Sequence, residues 1–323
     1  MLTALNYCLE KVLPYAIPII VLLGVTILNG AEALSPLVKW IFAFISFSSC
    51  LNLNLTQLKK AFTSPLPIIA SMIILQVFIP AVAYVAGLAF FSDDIYLITG
   101  LVLAFTIPTG VITIMWTGIF GGNTGITLAV VLLNTLVSPL LVPLTLNILV
   151  GAQVAMDVWG LITGLLWMVV VPSLLGIIVN RIIDGRSKKF GASLAPFSKI
   201  GVLTVILINS AVVSPYFQSI NGRLIFLFLL VACIACFAYV VGFSTARVLK
   251  WEKSTSVSLM YTSGMRNTGV GATLAITYFP AAAALPVVLA IIFQQVLAVL
   301  AGKYVQYYFM NKDEKEEDFR FNQ

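Results

Sequence analysis

Long apolar segments, separated by short connections, constrain this chain more than any other feature. A helix needs roughly 20 apolar residues to cross the hydrocarbon core of a membrane, and ten segments come close to or exceed that length. Only 9% of the residues are charged, against about 25% in soluble domains. The sequence therefore predicts an all-α polytopic membrane protein with ten transmembrane helices. The segments lie at residues 12–29, 36–54, 65–91, 96–120, 124–150, 157–180, 196–215, 223–248, 254–279 and 283–310.

The charged residues predict how these helices are oriented. Positively charged loops stay on the cytoplasmic side of a membrane, and the basic residues cluster after the second, sixth and eighth segments. We therefore predict a cell (plasma) membrane protein with both termini in the cytoplasm and a charged tail, residues 311–323, without regular structure. The first segment lacks the pattern of a cleaved signal peptide, so we interpret it as a mature span. The basic clusters are Lys59, Lys60, Arg181, Arg186, Lys188, Lys189, Arg247, Lys250 and Lys253, and the opposite connections carry Asp93, Asp94, Asp157 and Arg223.

The ten segments divide five and five near residues 151–157. An odd number of helices per half gives the halves opposite orientations, as in transporters built from inverted repeats. We predict one transmembrane domain, with repeat one at residues 1–151 and repeat two at residues 152–310. The fourth segment of each half combines glycine with threonine. In the first half, Pro108 also removes a backbone donor from this segment. These matched interruptions predict crossed, discontinuous helices four and nine, with two ordinary kinks as the alternative.

Arg266 is an isolated charge within the ninth segment. An arginine at the centre of a membrane helix costs about 2.5–3.5 kcal/mol on insertion scales. Every acidic residue falls in a loop, in the tail or at the edge of a span, so none is placed to neutralise Arg266 from another helix. The N-termini of half-helices also attract anions. Together, Arg266 and the two interruptions predict a site for an anion that comes from outside the protein.

Few other polar side chains fall within the apolar segments. Each can serve in a helix–helix hydrogen bond, worth about 0.6 kcal/mol in a membrane, or take part in the predicted site. We favour the first role for the hydroxyl groups, whereas both roles stand for Gln76, Asn134, Asn267 and Gln294. The chain has no histidine, the commonest general base, and no metal-ligand cluster, so an enzyme is not expected. These side chains are Gln76, Thr127, Asn134, Ser138, Asn209, Ser210, Gln294 and Gln295.

Several short motifs resemble those of the bile acid:sodium symporter family, in its bacterial branch. The resemblance extends over nearly the whole chain. The pair formed by Ser-Pro-Leu-Leu-Val-Pro and Gly-Met-Arg-Asn-Thr-Gly carries most of its specificity. The motifs lie at residues 55–60, 76–80, 108–110, 122–123, 138–143 and 264–269.

The resemblance implies ten helices arranged as a panel domain and a core domain, with the crossed helices four and nine in the core. It implies transport of an organic anion, such as a bile-acid-like compound or a pantoate-like acid, usually coupled to two sodium ions. No cofactor other than sodium is implied. The substrate-binding residues would be Thr109, Gly110, Val111, Thr113, Arg266, Asn267, Thr268 and Gln294.

The sodium-site positions of the family are where this chain departs from it. The family has glutamate and glutamine where this chain has Thr262 and Arg266. It has asparagine and a second hydroxyl where this chain has Ile114 and Val131. A sodium ion beside Arg266 would be strongly repelled, so sodium coupling is doubtful here. The family's sodium-site positions correspond to Gln76, Thr113, Ile114, Thr127, Val131, Thr262, Ser263, Met265 and Arg266.

Three hypotheses follow. The leading one is a secondary transporter that moves a small organic anion by alternating access, with Arg266 in place of the sodium charge. The second is a conventional sodium symporter in which Arg266 bonds to backbone carbonyls of the break. The third is a channel or sensor without transport activity. In each case the partner is the lipid bilayer and not nucleic acid, because the basic residues lie in loops, and we expect a protein that can work as a monomer.

Overall fold

Helices make up nearly all of the chain, as the apolar segments predict. The structure, a computed structural model, describes residues 2–51, 53, 65–183, 187–218 and 221–321, and it contains no β-strand within them. The motif at residues 55–60 lies outside these residues, as do the predicted basic residues Lys59, Lys60 and Arg186. The helices are α1 (Leu2–Thr26), α2 (Val38–Cys50), α3 (Pro65–Phe91), α4 (Ile95–Thr106), α5 (Ile112–Ile119), α6 (Thr124–Val150), α7 (Val158–Ile182), α8 (Ser187–Val212), α9 (Gly222–Val248), α10 (Lys253–Gly264), α11 (Thr268–Tyr278) and α12 (Ala281–Phe321).

Seven helical stretches in the described part of the chain are long and apolar enough to cross a membrane. Shorter apolar stretches lie in α1 (Tyr15–Thr26) and α4 (Ile95–Thr106). The prediction of an all-α, multi-pass membrane protein is therefore confirmed. Helix covers part of every predicted segment, while the count of ten spans and the inverted repeat stay predictions. The expectation that the tail lacks regular structure was wrong, because α12 continues to Phe321.

Two of the predicted segments are interrupted where their sequences indicate. In the fourth segment, the helix stops at Thr106 and resumes at Ile112. Pro108 follows the last residue of α4 closely, and proline neither donates a backbone hydrogen bond nor fits the preceding turn of a helix. In the ninth segment, the helix stops at Gly264 and resumes at Thr268, and the backbone of Met265 between them is extended. Each interruption therefore exposes one carbonyl end and one N–H end inside the protein.

Prolines also widen two helices that continue without a break. In α3 the N–H of Ile79 bonds to Ile74 instead of Leu75, which makes a π turn at Ile74–Phe78. The next residue, Pro80, has no N–H to give to the carbonyl of Gln76. The same arrangement recurs in α7, where Pro172 follows a π turn at Leu166–Val170. The π turn in α3 matters for the site, because Gln76 lies within it.

The helices pack in two groups. Helices α1, α2, α7 and α8 pack mainly against one another, and we call this group the panel. Helices α3–α6 and α9–α12 pack mainly against one another and form the core group, which contains both interrupted segments. This division agrees with the panel and core domains that the family resemblance implies.

Charged residues predicted on one side of the membrane contact one another. Both terminal nitrogens of Arg223, at the start of α9, donate to Asp93, at 2.6 and 3.1 Å. The hydrogen bonds from Arg223 lower the pKa of the Asp93 carboxyl below its ordinary value. Asp94 lies 3.7 Å from Arg223 and caps the first turn of α4. This cluster connects the start of α9 to the loop between α3 and α4.

Close packing between α4 and α12 depends on the absence of a side chain at Gly100. A Cβ atom there would overlap the carbonyl oxygen of Ala283 and lie 2.9 Å from the Pro286 ring. Neither neighbour can rotate away, because one is backbone and the other is a closed ring. Gly222, by contrast, has open space around the position of a Cβ atom.

We predict that Gly100→Val lowers the free energy of unfolding by about 1–3 kcal/mol, the range typical of overpacking. Thermal unfolding in detergent, followed by tryptophan fluorescence, measures the effect. Gly222→Ala is the control and should leave the melting temperature nearly unchanged. An unchanged melting temperature for Gly100→Val would mean that α4 and α12 are not in close contact.

Candidate functional site

The two interruptions meet inside the core group. The backbone N–H of Asn267 donates to the carbonyl of Pro108 at 2.8 Å, which joins them directly. A Cβ atom at Gly110 would lie 3.6 Å from the Cβ of Asn267, in ordinary contact. We call this meeting point the crossing. It brings the ends of four helices together: the carbonyl ends of α4 and α10 and the N–H ends of α5 and α11.

Arg266 bonds to the carbonyl ends at the crossing. The residue is 3% exposed. Its Nε donates to the carbonyl of Phe105 at 3.1 Å. Its Nη1 donates to the carbonyls of Ser263 at 2.7 Å and Met265 at 3.1 Å. Arg266 thus satisfies carbonyls from both interrupted segments, which have lost the helical partners they would otherwise have.

The charge at the crossing is positive. Each helix end carries about half an elementary charge, negative at the carbonyl end and positive at the N–H end. Two ends of each sign meet here, so their charges nearly cancel. The guanidinium of Arg266 remains charged in proteins, and its bonding partners Phe105, Ser263 and Met265 contribute neutral carbonyls. The crossing therefore keeps about one net positive charge.

Three buried polar atoms near Arg266 have no hydrogen-bond partner: Nη2 of Arg266 itself, the hydroxyl of Tyr239 and the hydroxyl of Ser263. Tyr239 belongs to α9, and a Cβ atom at Gly264 would overlap its ring. Leaving a buried donor unpaired costs about 1–3 kcal/mol. Because Nη2 is buried, the guanidinium does not present this nitrogen to the open space of the protein.

Gln76 and Asn134 form a second buried polar contact beside the end of α4. The amide nitrogen of Gln76 donates to the side-chain oxygen of Asn134 at 2.5 Å and to the carbonyl of Thr106 at 3.3 Å. The side-chain oxygen of Gln76 and the side-chain nitrogen of Asn134 have no partner. The π turn in α3 thus places an amide that satisfies one more carbonyl of the broken segment.

Five of the remaining sodium-site positions of the family are buried or engaged in other contacts. The hydroxyl of Thr113 pairs with that of Thr109 at 3.0 Å, and the hydroxyl of Thr127 donates to Thr117 at 3.1 Å. Thr262 donates to the carbonyls of its own helix, at Ser258 and Leu259, and its hydroxyl lies 3.0 Å from that of Ser71. Ile114 packs against apolar side chains, and Val131 is buried. These residues do not fit a sodium site that needs a carboxylate.

A cavity of about 440 Å³ lies between the panel and the crossing. Seven of the eight predicted substrate-binding residues line it, and the eighth, Thr113, is fully buried beside Thr109. Apolar side chains of α1, α2, α7 and α8 form much of the opposite wall. The lining residues from the prediction are Thr109, Gly110, Val111, Arg266, Asn267, Thr268 and Gln294.

Polar contacts hold the side chains at the crossing end of the cavity. Thr268 donates to the side-chain oxygen of Gln294 at 3.2 Å. The side chain of Asn267 caps α11 by accepting from the N–H of Val270 at 3.5 Å. The neighbouring Gln295, which also lines the cavity, accepts from the indole nitrogen of Trp116 at 3.0 Å. These contacts fix the orientation of Thr268, Asn267 and Gln295 at this end of the cavity.

Sequence reasoning missed a second cation in the cavity wall. Lys199 of α8 lines the cavity, and its ammonium donates to the side-chain oxygen of Asn6 at 2.5 Å and to the Asn6 carbonyl at 3.3 Å. In the sequence, Lys199 is visible only as a lysine near the start of an apolar segment. Such lysines ordinarily extend toward the membrane surface, so the sequence does not indicate a cavity position.

Removal of the Arg266 side chain should destabilise the fold through the carbonyls it leaves unpaired. We expect Arg266→Met to lower the free energy of unfolding by about 2–4 kcal/mol, since hydrogen bonds to charged groups and unpaired buried acceptors each contribute at this scale. Thermal melting in detergent measures the change. Arg181→Met, which removes an exposed arginine at the end of α7, should have little effect. Equal melting temperatures for the two variants would contradict a role of Arg266 in joining the interrupted segments.

A multi-pass membrane protein with two broken helices that meet beside a central cavity has the architecture of a secondary transporter. Comparison with known families supports this class. The model of the Sodium Bile acid symporter family matches residues 40–220. The chain belongs to this family, which is a family of transporters and not of enzymes.

Three relatives are similar to this chain over more than half of its length. The chain is 43% identical to an uncharacterized protein, YbaS, of Bacillus subtilis (strain 168), over 90% of this chain and 95% of that one. It is 26% identical to an "uncharacterized sodium-dependent transporter", YocS, of the same organism, over 87% of each chain. It is 27% identical to a rice (Oryza sativa subsp. japonica) protein named "Probable sodium/metabolite cotransporter BASS2, chloroplastic", over 57% of this chain and 43% of that one. The resemblance read from the sequence motifs is thereby confirmed.

Proposed function

We propose that this protein is a secondary transporter that moves a small organic anion by alternating access, with the fixed charge of Arg266 in place of a coupling sodium ion. The observation that carries the proposal is the position of the guanidinium on the carbonyls of Phe105, Ser263 and Met265. Ser263 and Met265 are positions that the family resemblance assigns to sodium. A permanent cation of the protein already bonds to the backbone carbonyls at these two positions.

Electrostatic repulsion opposes a sodium ion at the same place. Two unit charges about 4 Å apart repel by about 4 kcal/mol at an effective dielectric constant of 20. No aspartate or glutamate among the described residues lies near enough to bond with Arg266 and offset this repulsion. Binding of sodium beside Arg266 would therefore be unfavourable unless the guanidinium moved away, which would leave three carbonyls without their donor.

The other sodium positions also support a mechanism without sodium. A sodium ion needs several oxygens that converge, and in the family a glutamate takes part. Here Thr262 replaces that glutamate and donates to the carbonyls of Ser258 and Leu259 within its own helix. Ile114 and Val131 offer no oxygen from their side chains. Thr127 donates to Thr117 and not toward the crossing.

The anion would bind at the crossing end of the cavity. The N–H ends of α5 and α11 attract anions, and Arg266 adds the net positive charge. Thr109, Thr268, Asn267 and Gln294 lie in the wall and offer polar groups to a carboxylate or its neighbours. The apolar wall of the panel would hold the body of the molecule. We place pantoate-like and bile-acid-like acids in this class.

Movement between the panel and the core group would expose the cavity to each side of the membrane in turn. In this proposal the chain forms ten spans as two inverted five-helix repeats, lies in the cell membrane and keeps both termini in the cytoplasm. The crossing stays intact during the movement, because Arg266 and the bond between Asn267 and Pro108 hold the interrupted segments together. The substrate's own concentration gradient, exchange for another anion, or entry as the protonated acid would drive transport.

One alternative has a specific observation in its favour. The relative YocS is named a sodium-dependent transporter, and the side-chain oxygen of Gln76 is a buried acceptor without a partner. In that alternative Arg266 serves only to join the interrupted segments, and a sodium ion binds beside Gln76. The two functions differ in their response to sodium.

Sodium binding can be tested without knowledge of the substrate. A ligand that binds the folded state raises the melting temperature. We expect replacement of potassium by sodium at equal ionic strength to leave the melting temperature of the purified protein unchanged. The double variant Thr262→Glu/Arg266→Gln, which restores the family's residues at two of its four departures, should be stabilised by sodium. Arg181→Gln controls for the loss of an arginine elsewhere.

Transport is measured in proteoliposomes by counterflow of labelled pantoate and labelled cholate. Uptake should saturate and should be equal, within about twofold, in sodium and in potassium buffers. A steep, sigmoidal dependence on sodium in the wild type, together with stabilisation by sodium, would establish the alternative and overturn the proposal. Arg266→Gln should abolish saturable uptake.

A further inference from the structure

Basic and aromatic side chains meet where α9 ends and α10 begins. The guanidinium carbon of Arg247 lies 5.6 Å from the ring centre of Tyr308 and 5.3 Å from that of Phe309, both of α12. The ammonium nitrogen of Lys253 lies 5.4 Å from the centre of the same Phe309 ring. We call Arg247, Lys253 and these two rings the basic–aromatic cluster. The cluster is separate from the cavity at the crossing, because none of its members lines that cavity.

A tight turn of the backbone connects the two cations. Lys250 has a φ of 56°, in the left-handed region. The N–H of Trp251 donates to the carbonyl of Ala246 at 2.9 Å, and the N–H of Lys250 donates to that of Arg247 at 3.1 Å. These two bonds form a Schellman motif, which ends a helix and reverses the chain. Arg247 of α9 and Lys253 of α10 can therefore both reach the rings of a third helix, α12.

The two cations have few polar partners in the protein. Within the described residues, the guanidinium of Arg247 makes one hydrogen bond, from Nη1 to the carbonyl of Trp251 at 3.5 Å, and its buried Nε has no partner. No carboxylate in the described part of the chain forms a salt bridge with Arg247 or Lys253. The neighbouring carboxylate of Glu252 accepts from the hydroxyl of Ser254 at 2.6 Å. Both positive charges are therefore available to an external anion.

The position of the cluster along its helices indicates where that anion lies. The stretches Gly222–Val248 and Ala281–Asn311 are long and apolar enough to cross a membrane, and the cluster lies at the end of both. Tyrosines at the ends of spans lie at the depth of the lipid headgroups. Exposed apolar and aromatic side chains continue along both helices and face away from the protein interior. They are Val240, Val248, Leu249, Leu300, Tyr304, Tyr307 and Met310.

We propose that the basic–aromatic cluster binds the headgroup of an anionic phospholipid, with the phosphate at Arg247 and Lys253 and the acyl chains along the exposed side chains of α9 and α12. Basic sites between membrane helices bind anionic headgroups in this way. The planar set of donors on a guanidinium also matches the oxygens of a phosphate. The site goes beyond the proposed function, because it lies outside the cavity and does not depend on how transport is coupled.

Lipid binding is measured on the purified, full-length protein in detergent, by native mass spectrometry and by the melting temperature. Phosphatidylglycerol is compared with phosphatidylcholine, which carries a phosphate but no net charge, and with inorganic phosphate. A ligand that binds the folded state raises the melting temperature. We expect phosphatidylglycerol to raise it in a saturable way, and the other two compounds to leave it nearly unchanged at the same concentration.

Variants of the two cations locate the site. Arg247→Gln and Lys253→Gln should each weaken the binding of phosphatidylglycerol by about fivefold, the contribution of one basic residue to binding an anionic lipid. Lys253→Arg should keep the affinity, because the charge remains. Arg181→Gln and Lys189→Gln remove exposed basic residues of α7 and α8, so they are matched controls and should leave the affinity unchanged. If Arg247→Gln fails to fold, the exposed Lys253 still provides the test.

Four results would overturn the proposal. Equal responses to the two lipids would show that the charge of the headgroup plays no part. Unchanged affinity in both Arg247→Gln and Lys253→Gln would place the lipid elsewhere. A comparable response to inorganic phosphate would indicate a site for a free anion. A response that appears only after the five acidic residues within 313–318 are replaced by amides would show that the tail of the chain occupies the cluster instead.

Discussion

The hydrogen bonds between Arg266 and the carbonyl ends of α4 and α10 are the interaction on which the site depends. Two interrupted helices in the interior of a membrane protein leave backbone groups that neither lipid nor water satisfies. Arg266 donates to Phe105, Ser263 and Met265, while Gln76 donates to Thr106. These contacts make the crossing a stable unit, and they leave the N–H ends of α5 and α11 beside the cavity with a net positive charge nearby.

The same bonds offset the cost of burying the charge. They are also the basis of the proposed mechanism, in which a fixed charge takes the place of sodium. In a family that pairs a negative substrate with sodium, a positive ion must be present when the anion binds. In the proposed mechanism, a guanidinium bonded to the backbone supplies that charge permanently, without an ion gradient. In the proposed function, the cavity next to Arg266 therefore attracts anions throughout the transport cycle.

Several features of the fold and the site could be predicted from particular residues. Pro108 and the glycine-rich motif at residues 264–269 indicated both interruptions, because proline removes a donor and glycine tolerates the conformations that follow. The position of Lys199 could not be predicted, since a lysine near the start of a span has the same local pattern whether it faces lipid headgroups or a cavity. The sequence left two kinds of partner open for Arg266, an external anion or the backbone carbonyls of the break, and it could not reveal that carbonyls of Phe105, Ser263 and Met265 lie within its reach.

The sequence by itself determined the class of protein, the positions of the helices and the places where two of them break. These properties follow from local chemistry: apolar length, backbone donors removed by proline, and a family motif that the comparisons confirm. Only the tertiary structure decided which partners Arg266 has, which hydroxyls point away from the crossing, and that Lys199 and Arg266 share one cavity. Those facts depend on contacts between helices that are far apart in the chain, such as Phe105 with Arg266. The direction and reach of a side chain across such a contact are set by packing and not by the local sequence.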